Sequence, residues 1–462
     1  METKKQNGSI IAIVTMMFLY AMIAFVTNLA APVGVVMKND PEVGGSNFIA
    51  MLGNFMNFLA YLFMGIPAGM MLTRIGYKKT ALLGIGLGFV GVLVQYLSGI
   101  EALEGYTDNV IYLIGAFVAG MSVCLLNTVV NPMLNLLGGG GKRGNQLNMI
   151  GGTFNSLAGT LTPMLVGSLL GQIITMEHVK NGAEIMVDGV KTVATEDHLT
   201  QFSAVNLVLY IAMAVFAAAF IILLFVPIKD PVSSKGEKKE KSKYSPWNFR
   251  HFVLGAIAIF IYVGIEVGVP GTLNFYLSDT SDKGAGLLAN AAIIGGMVAG
   301  TYWLLMLIGR ILGGAIAGKV SSRVMMIVVS SVGIALVLGA MFIDKSHTTS
   351  MPVFNSDTMS FAMEQVPVSA LLLVLCGLCT SVMWSCIFNL ATEGLGKFTA
   401  AASGIFMMMV VGGGVLPLIQ NAIADSSLGY MFSYIVPLIG LAYILFYALI
   451  GSKNVNKDIP VE

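Results

Sequence analysis

Asparagine amides recur inside the long apolar stretches of this sequence, at spacings that align them on helix faces. Asn28, Asn54, Asn57, Asn127, Asn131, Asn148 and Asn155 all fall in the first half of the chain. Separations of three or four residues, as in Asn54 with Asn57 and Asn127 with Asn131, put both members of a pair on one face. A carboxamide offers two donors and an acceptor without a charge, which suits a neutral, polyhydroxylated solute better than an ion. The competing reading is interhelical hydrogen bonding, worth only about 0.6 kcal/mol per bond on average in membranes. Both readings stay open for each single amide, whereas the group together points to a polar cavity.

The second half contributes Tyr262, Asn274, Trp384 and Asn389. An indole face covers the C–H side of a sugar ring while its N–H seeks a partner, and Trp384 lies in mid-span, away from the interfacial positions where tryptophan is usual. Glu266 is the one carboxylate placed deep within an apolar span, which makes it a candidate proton carrier or cation ligand. The competing reading is a carboxyl that bonds a neighbouring helix and never titrates. Arg310 lies toward one end of its span, where it can snorkel or gate.

Other chemistries find no residues to carry them. The four cysteines (Cys124, Cys376, Cys379, Cys386) sit inside apolar spans and read as small buried side chains, despite the redox-like spacing of Cys376 and Cys379. The glycine clusters at Gly138 to Gly141 and Gly412 to Gly414 match no phosphate-binding fingerprint; they read as a turn and a close-packed helix seam. No nucleophile and base, nucleotide or metal arrangement emerges, so neither an enzyme nor a resident metal or cofactor is expected, and the only inorganic ligand anticipated is a coupling proton or sodium ion. The net charge of +1 offers nothing to a nucleic acid.

The elements that must position these residues are membrane helices. Apolar residues make up 56% of the chain and charged residues 11%, an excess that a soluble core cannot absorb. Spans fall near 10–37, 46–72, 79–99, 109–137, 145–174 and 203–228, then 250–278, 287–317, 324–343, 366–392, 398–424 and 429–451. The first of these reads as a retained helix and not a removed signal. The expected fold is all-α, with twelve transmembrane helices in two pseudo-symmetric bundles over 1–228 and 250–462, joined by a polar linker at 229–249. About 20 of the 25 Lys and Arg fall in loops on one side, which sets both termini in the cytoplasm. The longest loop on the other side, about 176–201, has room for a small hairpin around Asp188-Gly189.

The halves repeat one plan. Gly69 to Lys79, with Arg74, Gly76, Lys78 and Lys79, is echoed by Gly314 to Arg323, and Gly120 precedes Asn127 by the interval that separates Gly377 from Trp384. With these residues the chain resembles the major facilitator superfamily, and within it the fucose, galactose and glucose symporter family. More specific matches are Tyr262 to Gly268, Ile308-Gly309-Arg310, Thr153-Phe154-Asn155-Ser156, Asn131-Pro132 and the run from Gly394 to Gly414. It departs from the superfamily's loop motif at Thr73, where an Asp is usual. It departs from proton-coupled members at Asn127, where a Glu stands, at the missing acid near Ala31, and at Gly152, where a Gln often stands.

The resemblance implies a monosaccharide carrier of the cytoplasmic (inner) membrane, working by alternating access as a monomer among lipids and by cation-coupled uptake. Substrate contacts are expected from Asn28, Asn57, Asn127, Asn131, Asn155, Tyr262, Trp384 and Asn389, coupling from Glu266, and gating from Arg74 and Arg310. The alternatives are a facilitator or exporter of another small neutral polar solute, separated by flux direction and ion independence, and a non-transporting sugar sensor, which would bind without moving its ligand.

Overall fold

The structure is a computed structural model. It describes residues 2–38, 45–99, 107–137, 147, 150–164, 166, 184–187, 190–193, 205–226, 244–287, 291–316, 319–355, 360–456 and 458–460. Lys142, Arg143, Asn148, the glycines at 138–141 and most of the linker lie outside these residues.

The first half holds α1 (Glu2–Lys38), α2 (Asn47–Ala50), α3 (Leu52–Ile75), α4 (Tyr77–Leu97), α5 (Thr107–Leu137), α6 (150–164) and α7 (Asn206–Phe225). The second holds α8 (Arg250–Ser278), α9 (Ala291–Ile316), α10 (Ser322–Phe342), α11 (Val368–Thr380), α12 (Met383–Thr392), α13 (Thr399–Met409), α14 (Gly412–Asp425), α15 (Gly429–Ser433) and α16 (Ile435–Phe446). Among the described residues, 11 segments are long and apolar enough to cross a membrane, and α6 occupies the place of the remaining expected span. Eleven of the twelve expected spans thus agree with the helices to within a few residues, and part of the remaining one, 145–174, lies outside the described residues.

Helices serve here because every backbone N–H and C=O in a bilayer must be satisfied within the segment. Pro32, Pro67, Pro132, Pro270 and Pro417 stand inside helices and each removes one such donor. Hydroxyls behave accordingly: Thr27, Thr160, Thr301 and Ser330 each donate to a carbonyl one turn back, which satisfies them within their own helix. Gly76, with φ of 85°, makes the one-residue corner between α3 and α4 and accounts for the glycine in that loop motif.

Two of the spans are broken. The tenth divides into α11 and α12 at Ser381 and Val382, directly before Trp384, and the eleventh divides into α13 and α14 at Val410 and Val411. The glycines that follow are a seam, as the sequence predicts: a Cβ on Gly412 would lie 1.9 Å from the Phe260 carbonyl oxygen. The four cysteines are free and buried, again as predicted.

Two hairpins stand on the face opposite the basic loops. β1 (Glu184–Val187) pairs with β2 (Val190–Val193) across residues 188–189, the position expected. β3 (Thr348–Asn355) pairs with β4 (Ser360–Pro367) between α10 and α11, where the sequence reading assigned nothing.

Among the described residues, the halves meet at several helix crossings. α3 packs on α13 and α14, with Gly65 against Met408 and Phe55 against Gly414. α6 packs on α9, so closely that a Cβ on Gly300 would sit 2.4 Å from Met164 Cγ.

Candidate functional site

Four helices of the first half join their amides and phenols into one network. Asn127 Nδ2 on α5 donates to the Tyr61 hydroxyl of α3 at 2.7 Å, and Asn131 Nδ2, one turn on, donates to the Asn127 carbonyl at 3.0 Å. The Tyr20 hydroxyl of α1 donates to Asn131 Oδ1, and Asn155 Nδ2 of α6 donates to the Tyr20 carbonyl at 3.1 Å. The i, i+4 spacing read from the sequence is what places Asn127 and Asn131 on this shared face. Both, with Asn155, are half-buried. The Oδ1 atoms of Asn127 and Asn155 accept no bond among the described residues, so the network presents acceptors where a solute hydroxyl can donate.

The second half answers with aromatic faces and a charge pair. The Tyr262 ring lies 6.2 Å from the Trp384 ring at 56°, a tilted contact that fixes the indole just after the break in its span. Glu266, one turn beyond Tyr262 on α8, is not stranded as its isolation in the sequence suggests. Arg310 Nη2 donates to Glu266 Oε1 at 3.3 Å, and the two side chains are only 25% and 14% exposed. A permanent guanidinium satisfies the carboxylate in this low-dielectric setting, and removing either partner would strand the other.

Arg310 does not snorkel to the membrane surface. Its Nη1 reaches across to α6, donating to Ser156 Oγ at 2.6 Å and to the Gly152 carbonyl at 3.3 Å. One guanidinium therefore touches both halves, partway between the middle and the basic face.

A second set of cross-half bonds closes the opposite face. Lys38 Nζ, at the end of α1, pairs with Asp279 Oδ2 at 2.8 Å and also meets the Tyr430 hydroxyl. That hydroxyl stands 2.8 Å from Asp279 Oδ2 and 2.9 Å from Asn47 Oδ1. Asp425, at the end of α14, caps the start of α2: it accepts from the Asn47 and Phe48 backbone N–H groups at 2.8 and 2.9 Å and from Ser46 Oγ at 2.8 Å. Burial pushes the Asp279 carboxyl up, but the bonds from Lys38 and Ser281 outweigh it and hold its pKa at about 2. Among the described residues, the halves are thus latched at the opposite face and tied by Arg310 nearer the basic face.

Not every predicted residue joins this cluster. Asn57 is buried in the α3–α5 crossing, where its carbonyl lies 2.1 Å from the position of a Cβ on Gly120. Asn389 is exposed and lines a separate cleft of about 450 Å³ with Ser321, Ser322, Arg323, Leu390 and Glu393. Arg74 is exposed in the last turn of α3. Asn28 donates to the Ala24 carbonyl at 2.9 Å and flanks Gly159, with Trp303 of the second half on the same glycine.

Trp303, Tyr20, Tyr61 and Ser156 were missed by sequence reasoning. Trp303 was findable: it precedes Arg310 by seven residues, two helical turns, and so shares its face. The tyrosines carry no spacing signal, because their partners lie on other helices.

The chain matches the sequence profile of the Major Facilitator Superfamily over residues 13–417. It is 30% identical to a glucose/galactose transporter of Brucella abortus over 98% of this chain and 97% of that protein. It is 22% identical to the L-fucose-proton symporter of Escherichia coli over 89% of this chain and 87% of that one. Among solved structures, the E. coli fucose:proton symporter superposes with a TM-score of 0.63 at 18% identity, covering 97% of this chain and 100% of that one. A D-xylose-proton symporter also reaches a TM-score of 0.63, at 12% identity, over 96% and 98% of the two chains. With two six-helix halves meeting at a polar centre and a profile match over most of its length, this chain belongs to the Major Facilitator Superfamily.

Proposed function

We propose that this protein moves a monosaccharide, a hexose such as glucose, galactose or fucose, across the cytoplasmic membrane by alternating access, with uptake coupled to a cation. The observation that carries the reading is the joining of two unlike surfaces through Arg310. An amide network with open acceptors lies on the first half, and an indole–phenol pair with a charged Glu266–Arg310 couple lies on the second. Hydroxyls of a neutral ring suit the former and its C–H face the latter. The names of the curated relatives agree, since they are transporters of glucose, galactose or fucose.

In this reading Asn127, Asn131 and Asn155 bond sugar hydroxyls, Trp384 packs on the ring with Tyr262 behind it, and Glu266 is the coupling group. The two sets of cross-half bonds break in turn: the Lys38–Asp279 latch to admit solute at the opposite face, the Arg310 tie to release it at the basic face. The excess of Lys and Arg on one side sets that face, with both termini, in the cytoplasm. No resident cofactor is needed, the protein is a carrier and not an enzyme, and one chain holds a complete site.

Purified protein in liposomes, offered a panel of labelled hexoses and other neutral solutes, tests the substrate. Saturable hexose flux is expected. Saturable flux of amino acids or nucleosides without any hexose flux would refute it.

A further inference from the structure

We propose that Ser156, with the Gly152 carbonyl, is the receptor through which the first half senses the charge on Glu266, Arg310 being the messenger. The inference rests on the coupled-transport reading and adds the step by which occupancy of one carboxylate is felt by the other half.

The geometry is a division of one cation between two sets of acceptors. Nη2 serves Glu266 on α8 at 3.3 Å, within its own half, and Nη1 serves Ser156 and Gly152 on α6, in the other half. The shortest of the three bonds, 2.6 Å to Ser156 Oγ, is one that crosses between the halves. Ser156 and Gly152 are four residues apart on a helix, so their oxygens share a face. Ser156 is 1% exposed, so its hydroxyl oxygen has little water to replace the guanidinium if Arg310 withdraws.

A guanidinium in a dry site must keep its N–H groups paired. When a transported cation neutralises Glu266, the hold of that carboxylate on Nη2 weakens, and Arg310 is left to the α6 acceptors. The tie near the basic face then tightens, and that entrance stays shut while the opposite one is free to open. When the cation leaves, Glu266 regains its charge and draws Arg310 back, which loosens the tie. Cation binding is thus linked to closure of the basic face, and by reciprocity closure of that face favours the cation. The device moves a side chain and not a proton of its own. The Tyr262 hydroxyl, buried beside Glu266 with no partner at hydrogen-bond geometry among the described residues, is placed to stabilise the carboxylate in its charged phase.

A double-mutant cycle read by distance tests this without any sugar, so its result is independent of the substrate assignment. Spin labels at Ile75→Cys and Val324→Cys, exposed positions at the basic ends of α3 and α10, report the separation of the halves there. Glu266→Gln, which mimics the loaded carboxyl, is expected to raise the ratio of closed to open populations about fivefold or more. Adding Ser156→Ala should abolish that rise, while Ser156→Thr, which keeps the hydroxyl, should preserve it. If Glu266→Gln raises the ratio equally with Ser156 or alanine present, or does not raise it at all in the Ser156 protein, the proposal is wrong.

Discussion

Lys38 Nζ lies 2.8 Å from Asp279 Oδ2, joining the last residue of α1 to the residue that follows α8, and so one half of the carrier to the other. Both side chains are largely shielded, at 8% and 13% exposure. Opening the opposite face requires this pair to part. Replacing Asp279 by Asn leaves the lysine charge without its counter-ion, at a cost to the closed state of about 1–3 kcal/mol. The expected outcome is a population shift toward the form open at that face, read as a longer distance between labels placed beside the latch. An unchanged distance distribution would show that the pair does not hold the face shut.

The same latch has a defined pH window. The Asp279 pKa is depressed from 3.8 to about 2, so its contribution is fully present above the ordinary value and is lost as pH falls through about 2. The Asp279 contribution to closure of the opposite face should therefore be independent of pH between about 5 and 8. Any pH dependence of transport in that range must arise from a group other than Asp279, and a change of the latch distance near neutrality that Asp279→Asn abolishes would contradict the assignment.

Glu266→Gln removes the charge that pairs with Arg310 yet keeps the shape of the side chain. Sugar exchange between two compartments should persist, since it needs no net cation movement, while accumulation against a gradient should fall to the level of equilibration. Retained accumulation would move the coupling role to another residue.

Tyr20 holds two members of the amide network at once, Asn131 through its hydroxyl and Asn155 through its carbonyl. Tyr20→Phe deletes only the former bond, with a cost of about 1–2 kcal/mol and an apparent KM raised roughly five- to thirtyfold. An unchanged KM in uptake assays would place the network outside the solute path.

Trp384→Ala removes the indole face but leaves the broken span intact. Sugar affinity should fall by about five- to thirtyfold, with partial recovery in Trp384→Phe, as expected of ring packing worth about 1–2 kcal/mol. Equal loss in both variants would point instead to the indole N–H.

The fold was legible because bilayer length and charge asymmetry act on whole segments, and the span limits drawn from hydropathy meet the helices of both halves to within a few residues. The interruptions before Trp384 and at Val410 were not, since a backbone break inside an apolar run leaves hydropathy unchanged. The β3–β4 hairpin was overlooked although Met351 and Val353, then Phe361 and Met363, alternate as a strand requires. Within the site, helix-local spacing correctly joined Asn127 to Asn131 but misplaced Asn389, whose exposed face turns to another cleft. What no single-helix pattern could supply was the pairing of Glu266 with Arg310, or of Arg310 with Ser156, because those contacts exist only once three helices pack.

Whether the centre carries sugar together with a cation is settled most directly by uptake into proteoliposomes under an imposed gradient. With an inward proton or sodium gradient, labelled hexose should rise above its external concentration and fall back when an ionophore collapses that gradient. Hexose that merely equilibrates, at the same rate with and without either gradient, would contradict cation-coupled uptake.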